Sequence, residues 1–136
     1  MPQYDLYTDG SVKNKIGHYG FVLFLEGKEI DRGWGEAGCG PHMTETIAEY
    51  YGLSAGLDSF IRHVDQPSSH LDCHSDCANL VRHLNRVARR DKSSELTMLF
   101  WKLDQIRKYA TAQVSWVPRY KNVIADALAK SLRSRL

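Results

Sequence analysis

The hydrophobic period of this chain changes after Pro41, and the change restricts its possible folds more than any other feature of the sequence. In the first third of the chain, apolar and polar residues alternate as in β-strands, over residues 3–9, 18–27 and 29–38. The connection at Gly27 and Lys28 is short enough for a hairpin, so we expect these strands to be antiparallel.

Beyond Pro41 the apolar residues follow helical spacing, and two further strands are separated by helices. The predicted elements are a helix over 46–64, a strand over 70–75, helices over 76–90 and 95–110, a strand over 112–118 and a helix over 122–135. The resulting order, βββαβααβα, predicts one α/β domain over residues 1–136 with a mixed sheet of antiparallel and parallel neighbours. If the fourth strand pairs in parallel with the first, their carboxyl ends border a crevice of the kind where open α/β sheets bind ligands.

Composition is typical of a soluble globular protein and excludes several functional classes. The chain has 136 residues, a formal net charge of +2 and no apolar segment of the length, about 18 residues, that spans a bilayer. Three cysteines without a secretion signal pattern predict reduced thiols and a cytoplasmic location. A small-molecule α/β enzyme is disfavoured, because the sequence has no phosphate-binding glycine loop and no nucleophile–base pair.

Basic residues are concentrated in two places. They are Arg82, Arg86, Arg89, Arg90 and Lys92 in one group, and Lys130, Arg133 and Arg135 in the other. Such runs are usually solvated helix faces, so they do not by themselves indicate nucleic-acid binding.

The segment "HLDCHSDC" contains residue types that bind zinc. His70 and His74 would share one face of a strand, whereas Cys73 would point to the other face. No second ligand pair follows at the spacing of a zinc finger, so the pattern does not favour a zinc site.

Four carboxylates lie where a strand or an apolar helix stripe would favour other residues. Asp9 comes at the point where Gly10 and Ser11 are expected to end the first strand. Asp76 follows the fourth strand. Glu49 lies on the apolar stripe of the first helix, and Asp126 lies in an early turn of the last helix. Each also has a purely structural interpretation: a turn at Asp9, a capping box from Thr46 to Glu49, a helix cap at Asp76 and a surface pair between Asp126 and Lys130.

Together, the four positions favour a metal site at one edge of the sheet. Two unit charges about 4 Å apart repel by about 4 kcal/mol at an effective dielectric constant near 20, so four gathered carboxylates would cost several times that energy. Protons or divalent cations must compensate for the repulsion. Oxygen-only ligands suit Mg²⁺ and Mn²⁺, and two such ions about 3.5–4 Å apart serve in-line phosphodiester chemistry.

Short motifs around these acids resemble the signature of type 1 ribonuclease H, in the order of that family. They are "YTDGS" with Asp9, "TETIAEYYGL" with Glu49, "SDCANL" with Asp76 and "NVIADALAK" with Asp126. "GHYGFVL" and "WVP" resemble the second and fifth strands of the family, so the resemblance covers nearly the whole chain. It implies the ribonuclease H-like fold: an α/β domain with a mixed five-stranded sheet, three antiparallel strands and then two parallel, flanked by helices on both faces.

The resemblance also implies an activity: a metal-dependent endonuclease, with two Mg²⁺ ions or Mn²⁺ in their place, that hydrolyses the RNA strand of RNA–DNA hybrids. Its products would carry 5′-phosphate and 3′-hydroxyl ends. By resemblance, the catalytic residues and metal ligands are Asp9, Glu49, Asp76 and Asp126. The expected partner is a hybrid duplex, bound by a monomer without membrane contact. The candidate substrate contacts, which would face 2′-hydroxyls in a wide minor groove, are Gly10, Ser11, Asn14, Thr44, Glu45, Cys77 and Arg119.

The sequence departs from the family pattern at three places. The histidine that many members carry in a longer loop before the last helix is absent from "WVPRYKN", and we hypothesise that Arg119 supplies part of its role as positive charge near the scissile phosphate. Glu45 stands where the family has an asparagine, which places a carboxylate next to the nucleic-acid backbone. The basic protrusion of some members is reduced to a stub between Arg86 and Lys92, which predicts weaker hybrid binding because fewer phosphates are contacted.

Two other functions stay open on the sequence alone. A broader nuclease of this fold would also cut double-stranded RNA, and a catalytically silent module would bind nucleic acid without cleaving it. The presence of all four acids argues against the silent module. We expect the indole rings of Trp101 and Trp116 to lie in the core rather than to stack on bases.

Overall fold

The structure, a computed structural model, describes residues 1–85 and 94–131. Its elements are β1 (Gln3–Lys13), β2 (Ile16–Leu25), β3 (Lys28–Cys39), α1 (Glu45–His63), β4 (Ser69–Ser75), α2 (Ala78–Leu84), α3 (Ser94–Ile106), β5 (Ala110–Trp116), a short 3₁₀ helix (Arg119–Lys121) and α4 (Val123–Ser131). Strands and helices follow each other in the order that the sequence predicts. The predicted ends of the second and last helices lie outside the described residues, as do the basic residues Arg86, Arg89, Arg90, Lys92, Arg133 and Arg135.

The five strands form one mixed sheet in the order β3-β2-β1-β4-β5. β2 is antiparallel to β1 and β3, whereas β4 is parallel to β1 and β5. Glu26 and Gly27, both with positive φ, form the tight turn of the β2–β3 hairpin. The predicted sheet of three antiparallel strands followed by two parallel ones is therefore confirmed, and the connectivity switches between β1 and β4.

Helices cover both faces of the sheet, as predicted. α1 lies on one face, where Gly56 allows it to approach Leu6 of β1, and α2 and α3 pack beside it. α4 lies on the opposite face, over Gly20 of β2. The main core lies between the sheet and the first three helices, and its largest fully buried side chains include Tyr4, Phe60, Leu71, Leu80, Leu99 and Leu103. None of the described helices is long and apolar enough to cross a membrane.

The first strand is longer than the sequence predicts. A local turn signal places its end after Asp9, but pairing with β2 continues through Gly10 and Ser11. The chain reverses at Asn14 and Lys15, which both have positive φ. Strand pairing thus overrides the turn preference of the Asp-Gly dipeptide, and a turn does not explain the acid in this motif.

Two tryptophans that we expected in the core are exposed instead. Trp101 on α3 is 58 % exposed, because the core-facing side of that helix is filled by Leu99 and Leu103. Trp116 ends β5 and is 54 % exposed. Its indole N–H donates to the main-chain oxygen of Asp76 at 3.2 Å, so its polar end has a partner without burial of the ring.

A buried amide joins the start of α4 to the central strand. Asn122 is 1 % exposed, and its Nδ2 donates to the main-chain oxygen of Thr8 at 2.8 Å. The main-chain oxygen of Asn122 accepts a hydrogen bond from the N–H of Asp126 at 3.0 Å, in the first turn of α4. This residue therefore holds α4 against β1 directly beside Asp9.

Replacement of Asn122 by alanine should lower the free energy of unfolding by about 1–3 kcal/mol, because the buried oxygen of Thr8 would lose its donor. Asn85→Ala is the matched control: its Nδ2 donates to the main-chain oxygen of Val114 at 3.0 Å, but the residue is exposed and water can replace the lost donor. Urea unfolding followed by circular dichroism measures both variants. Equal losses in the two would contradict the role given to the buried amide.

Candidate active site

Three carboxylates from three elements converge at the carboxyl ends of β1 and β4. One oxygen each from Asp9, Glu49 and Asp76 lie within 4.8 Å of one another, and no other such group of metal-ligating side chains occurs among the described residues. The parallel register pairs Thr8 with Ser75, so Asp9, the next residue of β1, lies beside Asp76, the first residue after β4. The strand register thus explains the proximity of two of the three acids.

Glu49 reaches this site because two glycines allow α1 to approach β1 closely. A Cβ atom on Gly10 would lie 2.3 Å from the main-chain nitrogen of Glu49, and a Cβ atom on Gly52 would lie 2.8 Å from the main-chain oxygen of Asp9. No side chain fits at such distances, so the two positions require glycine. The close approach brings Glu49, which is only 5 % exposed, beside Asp9.

Helix capping accounts for neither Glu49 nor Asp76. The predicted capping box does not form, since Thr44 caps α1 and its Oγ1 accepts a hydrogen bond from the N–H of Ile47 at 3.2 Å. The N-cap of α2 is Cys77, so Asp76 precedes the capping position. Both structural interpretations are therefore wrong for these acids.

The fourth acid, Asp126, enters the same cavity from α4. Its oxygens lie 3.0 and 3.1 Å from Nζ of Lys130, so the predicted surface pair does form. Asp126 is also hydrogen-bonded to the side chain of Asp9, although it lies outside the group of three acids within 4.8 Å. All four predicted acids thus share one cavity, with Asp9 in contact with both Glu49 and Asp126.

A polar cavity of about 380 Å³ contains the acids and most of the predicted substrate contacts. Its lining includes Gly10, Ser11, Glu45, Cys77 and Arg119. Asn14 and Thr44 are not part of the lining: Asn14 lies in the exposed β1–β2 turn, and Thr44 is occupied as the cap of α1.

Three lining residues were not among the predicted contacts, namely Thr46, Asn79 and Lys130. One of them could have been found from its spacing along a helix. Lys130 follows Asp126 by four residues and lies one helical turn beyond it on the same side of α4, whereas Asn79 lies in the first turn of α2, three residues after Asp76.

In the absence of cations, protons relieve the repulsion between the buried acids. Burial raises the pKa of Glu49 to about 11, and the hydrogen bond and charge of Asp9 act in the same direction. Burial also raises the pKa of Asp9 to about 7, opposed by the hydrogen bond from Glu49 and reinforced by the charge of Asp76. For Asp126 the effect of burial is outweighed by hydrogen bonds from Lys130 and Asp9, so its pKa lies below the usual range.

Two buried oxygen atoms in this site have no hydrogen-bond donor. They are Oε2 of Glu49 and Oδ2 of Asp76, both inaccessible to solvent. A buried carboxylate oxygen without a partner is unfavourable unless a cation or a donor compensates for it. Since carboxylate oxygens are the ligands that Mg²⁺ and Mn²⁺ prefer, the residues present fit a divalent cation at this position.

Comparison with known proteins identifies relatives of this chain. A family model described as "Reverse transcriptase-like" matches residues 7–132. The chain is 22 % identical to the N-terminal ribonuclease H domain of Rv2228c from Mycobacterium tuberculosis, solved as a fusion with maltose-binding protein; the TM-score is 0.80, and the match covers 99 % of this chain and 96 % of that one. Ribonuclease H1 from the archaeon Halobacterium salinarum is 20 % identical with a TM-score of 0.81, over 98 % of this chain and 99 % of that one.

A third solved structure is LC11 ribonuclease H1 in complex with an RNA/DNA hybrid. It is 23 % identical to this chain with a TM-score of 0.74, and 94 % of each chain is covered. The resemblance that the four motifs carry and the fold that it implies are both confirmed. The chain therefore belongs to the reverse transcriptase-like family and has the fold of ribonuclease H1 domains.

Proposed function

We propose that the chain is a metal-dependent endonuclease that hydrolyses the RNA strand of RNA–DNA hybrids. The observation that carries this proposal is the group formed by Asp9, Glu49 and Asp76, with two buried oxygens that lack donors, in an open polar cavity. A further support is that LC11 ribonuclease H1, a protein of the same fold, was solved with such a hybrid.

The proposed metal ligands are Asp9, Glu49, Asp76 and Asp126. Asp9 has the central position, because its carboxyl group contacts both Glu49 and Asp126. Two Mg²⁺ ions held there, or Mn²⁺ in their place, would supply an activated water molecule and stabilise the leaving oxygen of an in-line hydrolysis, which leaves 5′-phosphate and 3′-hydroxyl ends. The carboxylates would hold the ions in position, and the burial of Glu49 excludes bulk water from its carboxyl group.

The proposed substrate contacts surround the acids. Polar groups of Gly10, Ser11 and Cys77 line the cavity and would face the minor groove, where successive 2′-hydroxyls distinguish RNA from DNA. Glu45 lies at the start of α1 in the same lining, and its carboxylate would repel a nearby phosphate. Asn14 and Thr44 would contact the duplex further from the acids. The monomeric state and the cytoplasmic location stay predictions.

Asp9→Asn should lower the rate of hybrid cleavage by more than about a hundredfold, since even the outer partners of metal ligands contribute about 10–100-fold. The measurement compares cleavage of labelled RNA–DNA hybrid, double-stranded RNA and double-stranded DNA in Mg²⁺ and in Mn²⁺. Asp58→Asn is the matched control, because Asp58 is a half-exposed acid of α1 that pairs with Lys102 of α3 and should leave cleavage unchanged.

The possible outcomes of this cleavage experiment distinguish the proposed function from its alternatives. Comparable cleavage of double-stranded RNA would identify the broader nuclease. Hybrid binding without cleavage in either metal would identify a silent nucleic-acid-binding module. Activity that survives in Asp9→Asn would contradict the metal mechanism.

The stability of the metal-free protein should fall as the pH rises towards 8. The pKa of Asp9 is raised in the folded state to about 7, so its stabilising contribution is complete below the pKa of the unfolded chain, near 4, and is lost as the pH rises through 7. At about 1.36 kcal/mol per pKa unit, the part of the loss that is due to Asp9 amounts to at most about 4 kcal/mol. Thermal unfolding in EDTA between pH 4 and pH 8 measures it. Burial raises the pKa of Glu49 to about 11 and adds a slope of the same sign, so the control variant Asp9→Asn should keep part of the slope and lose the part due to Asp9.

Mg²⁺ should reverse this trend. Its binding displaces protons from the acids, so the stabilisation by Mg²⁺ should increase between about pH 6 and pH 8. A stabilisation by Mg²⁺ that is independent of pH, or that is equal in Asp9→Asn, would argue against cation binding at these carboxylates.

Arg119→Ala should reduce turnover of the hybrid by about tenfold or more, because the guanidinium group lines the acid cavity and is the charge that we propose to act near the scissile phosphate. Arg119→Lys keeps the charge without the planar, bidentate donor arrangement and should lie between the wild type and the alanine variant. Steady-state kinetics at saturating Mg²⁺ separates kcat from KM. Full turnover in Arg119→Ala would remove this role.

A further inference from the structure

An apolar cleft lies beside the candidate active site, on the face of the sheet that carries α4. Its volume is about 380 Å³, and Tyr7, Val22 and Phe24 of β1 and β2 form its floor. Val123 and Ile124, both exposed, border it from the start of α4. A cleft of this size accepts a small planar ligand, and the proposed cleavage chemistry does not use it.

A single turn separates this cleft from the acids. Arg119 lines the acid cavity, whereas Tyr120 and Lys121 line the apolar cleft. Tyr120 is 74 % exposed, more than any other aromatic side chain in the described part of the chain. Because Asn122 anchors the turn to the main chain of Thr8, the two cavities share a fixed wall.

The charges around the turn favour an anionic ligand that also has an aromatic part. Within residues 1–85 and 94–131, neither Arg119 nor Lys121 forms a salt bridge. Asp5, the carboxylate in the cleft lining, already accepts a hydrogen bond from His74 at 2.8 Å. Lys121, a cation without a salt bridge in the described part of the chain, lies beside an exposed ring and an apolar floor, and this combination binds unpaired nucleotides through phosphate contacts and base stacking.

We propose that this cleft binds an unpaired nucleotide of a strand that extends beyond the hybrid duplex. The inference rests on the proposed function, because the unpaired strand belongs to a hybrid that is bound at the acids. The base packs against Tyr120 and the floor at Tyr7 and Phe24, and Lys121 contacts the phosphate. Hybrids with a single-stranded extension are therefore better substrates than blunt hybrids.

The test compares a blunt hybrid with hybrids that carry an extension of about four nucleotides at each of the four strand ends in turn. At least one extension should lower KM about tenfold, the effect of one base stack. Tyr120→Ala and Lys121→Ala should each remove most of this advantage. Trp101→Ala is the matched control, since it removes an exposed aromatic ring that lines neither cavity, and it should keep the advantage.

An extension of abasic nucleotides separates stacking from charge. It keeps the phosphates but has no bases, so Tyr120→Ala should have no effect on it, whereas Lys121→Ala should still weaken its binding. A second measurement is independent of cleavage: a single-stranded oligonucleotide with the sequence of the best extension is added to the metal-free protein. Chemical-shift changes should then concentrate at Tyr7, Phe24 and Tyr120.

Several results would overturn the proposal while hybrid cleavage itself stays intact. They are equal KM values for blunt and extended hybrids, an advantage that survives in both Tyr120→Ala and Lys121→Ala, and an equal loss in Trp101→Ala. If neither the blunt hybrid nor any extended hybrid is cleaved, the proposed function fails. The binding measurement then decides about the cleft, because shifts confined to the cleft support nucleotide binding and their absence overturns it.

Discussion

The repulsion between buried carboxylates is the constraint on which the rest of this structure depends. Asp9 and Glu49 are buried, and their oxygens lie within 4.8 Å of each other and of Asp76. Full ionisation of such a group without compensation would cost more than the roughly 5–15 kcal/mol by which a domain is stable. The raised pKa values of Asp9 and Glu49 show that protons compensate in the absence of cations. A divalent cation removes the same repulsion while leaving the oxygens ionised, so protons and cations compete for one site.

Main-chain contacts, rather than preferences of the acids, hold this unfavourable group together. The glycines at positions 10 and 52 bring α1 within contact of β1, and the amide of Asn122 ties α4 to the residue before Asp9. The parallel pairing of Thr8 with Ser75 adds the acid that follows β4. Because these contacts belong to the sheet and to its packed helices, the hydrophobic core supplies the free energy that keeps the acids close.

The sequence was sufficient for the features that depend on local pattern. The order of elements followed from hydrophobic periods, and the four acids were found because each stands out from its own element.

Features set by strand pairing or by side-chain packing were not predictable from local sequence patterns. A local turn signal at Gly10 gave the wrong end for β1, because pairing with β2 continued through it. Trp116 was expected in the core, but the strand ends where its ring is exposed and only its N–H finds a partner. Likewise, the apolar cleft combines β1, β2 and the turn before α4, which no single motif brings together.

The turn at Arg119–Lys121 gives the acid cavity a different electrostatic character from a loop that carries histidine. A histidine changes charge near neutral pH and can transfer a proton, whereas a guanidinium group stays protonated. Arg119 therefore contributes a permanent positive charge, which helps to hold the pKa of Asp126 low after the hydrogen bonds from Lys130 and Asp9. Such a charge can stabilise a phosphate but cannot supply the proton that a leaving oxygen needs. If the proposed hydrolysis takes place, that proton comes from water in the open cavity rather than from Arg119, and the role of Arg119 is electrostatic.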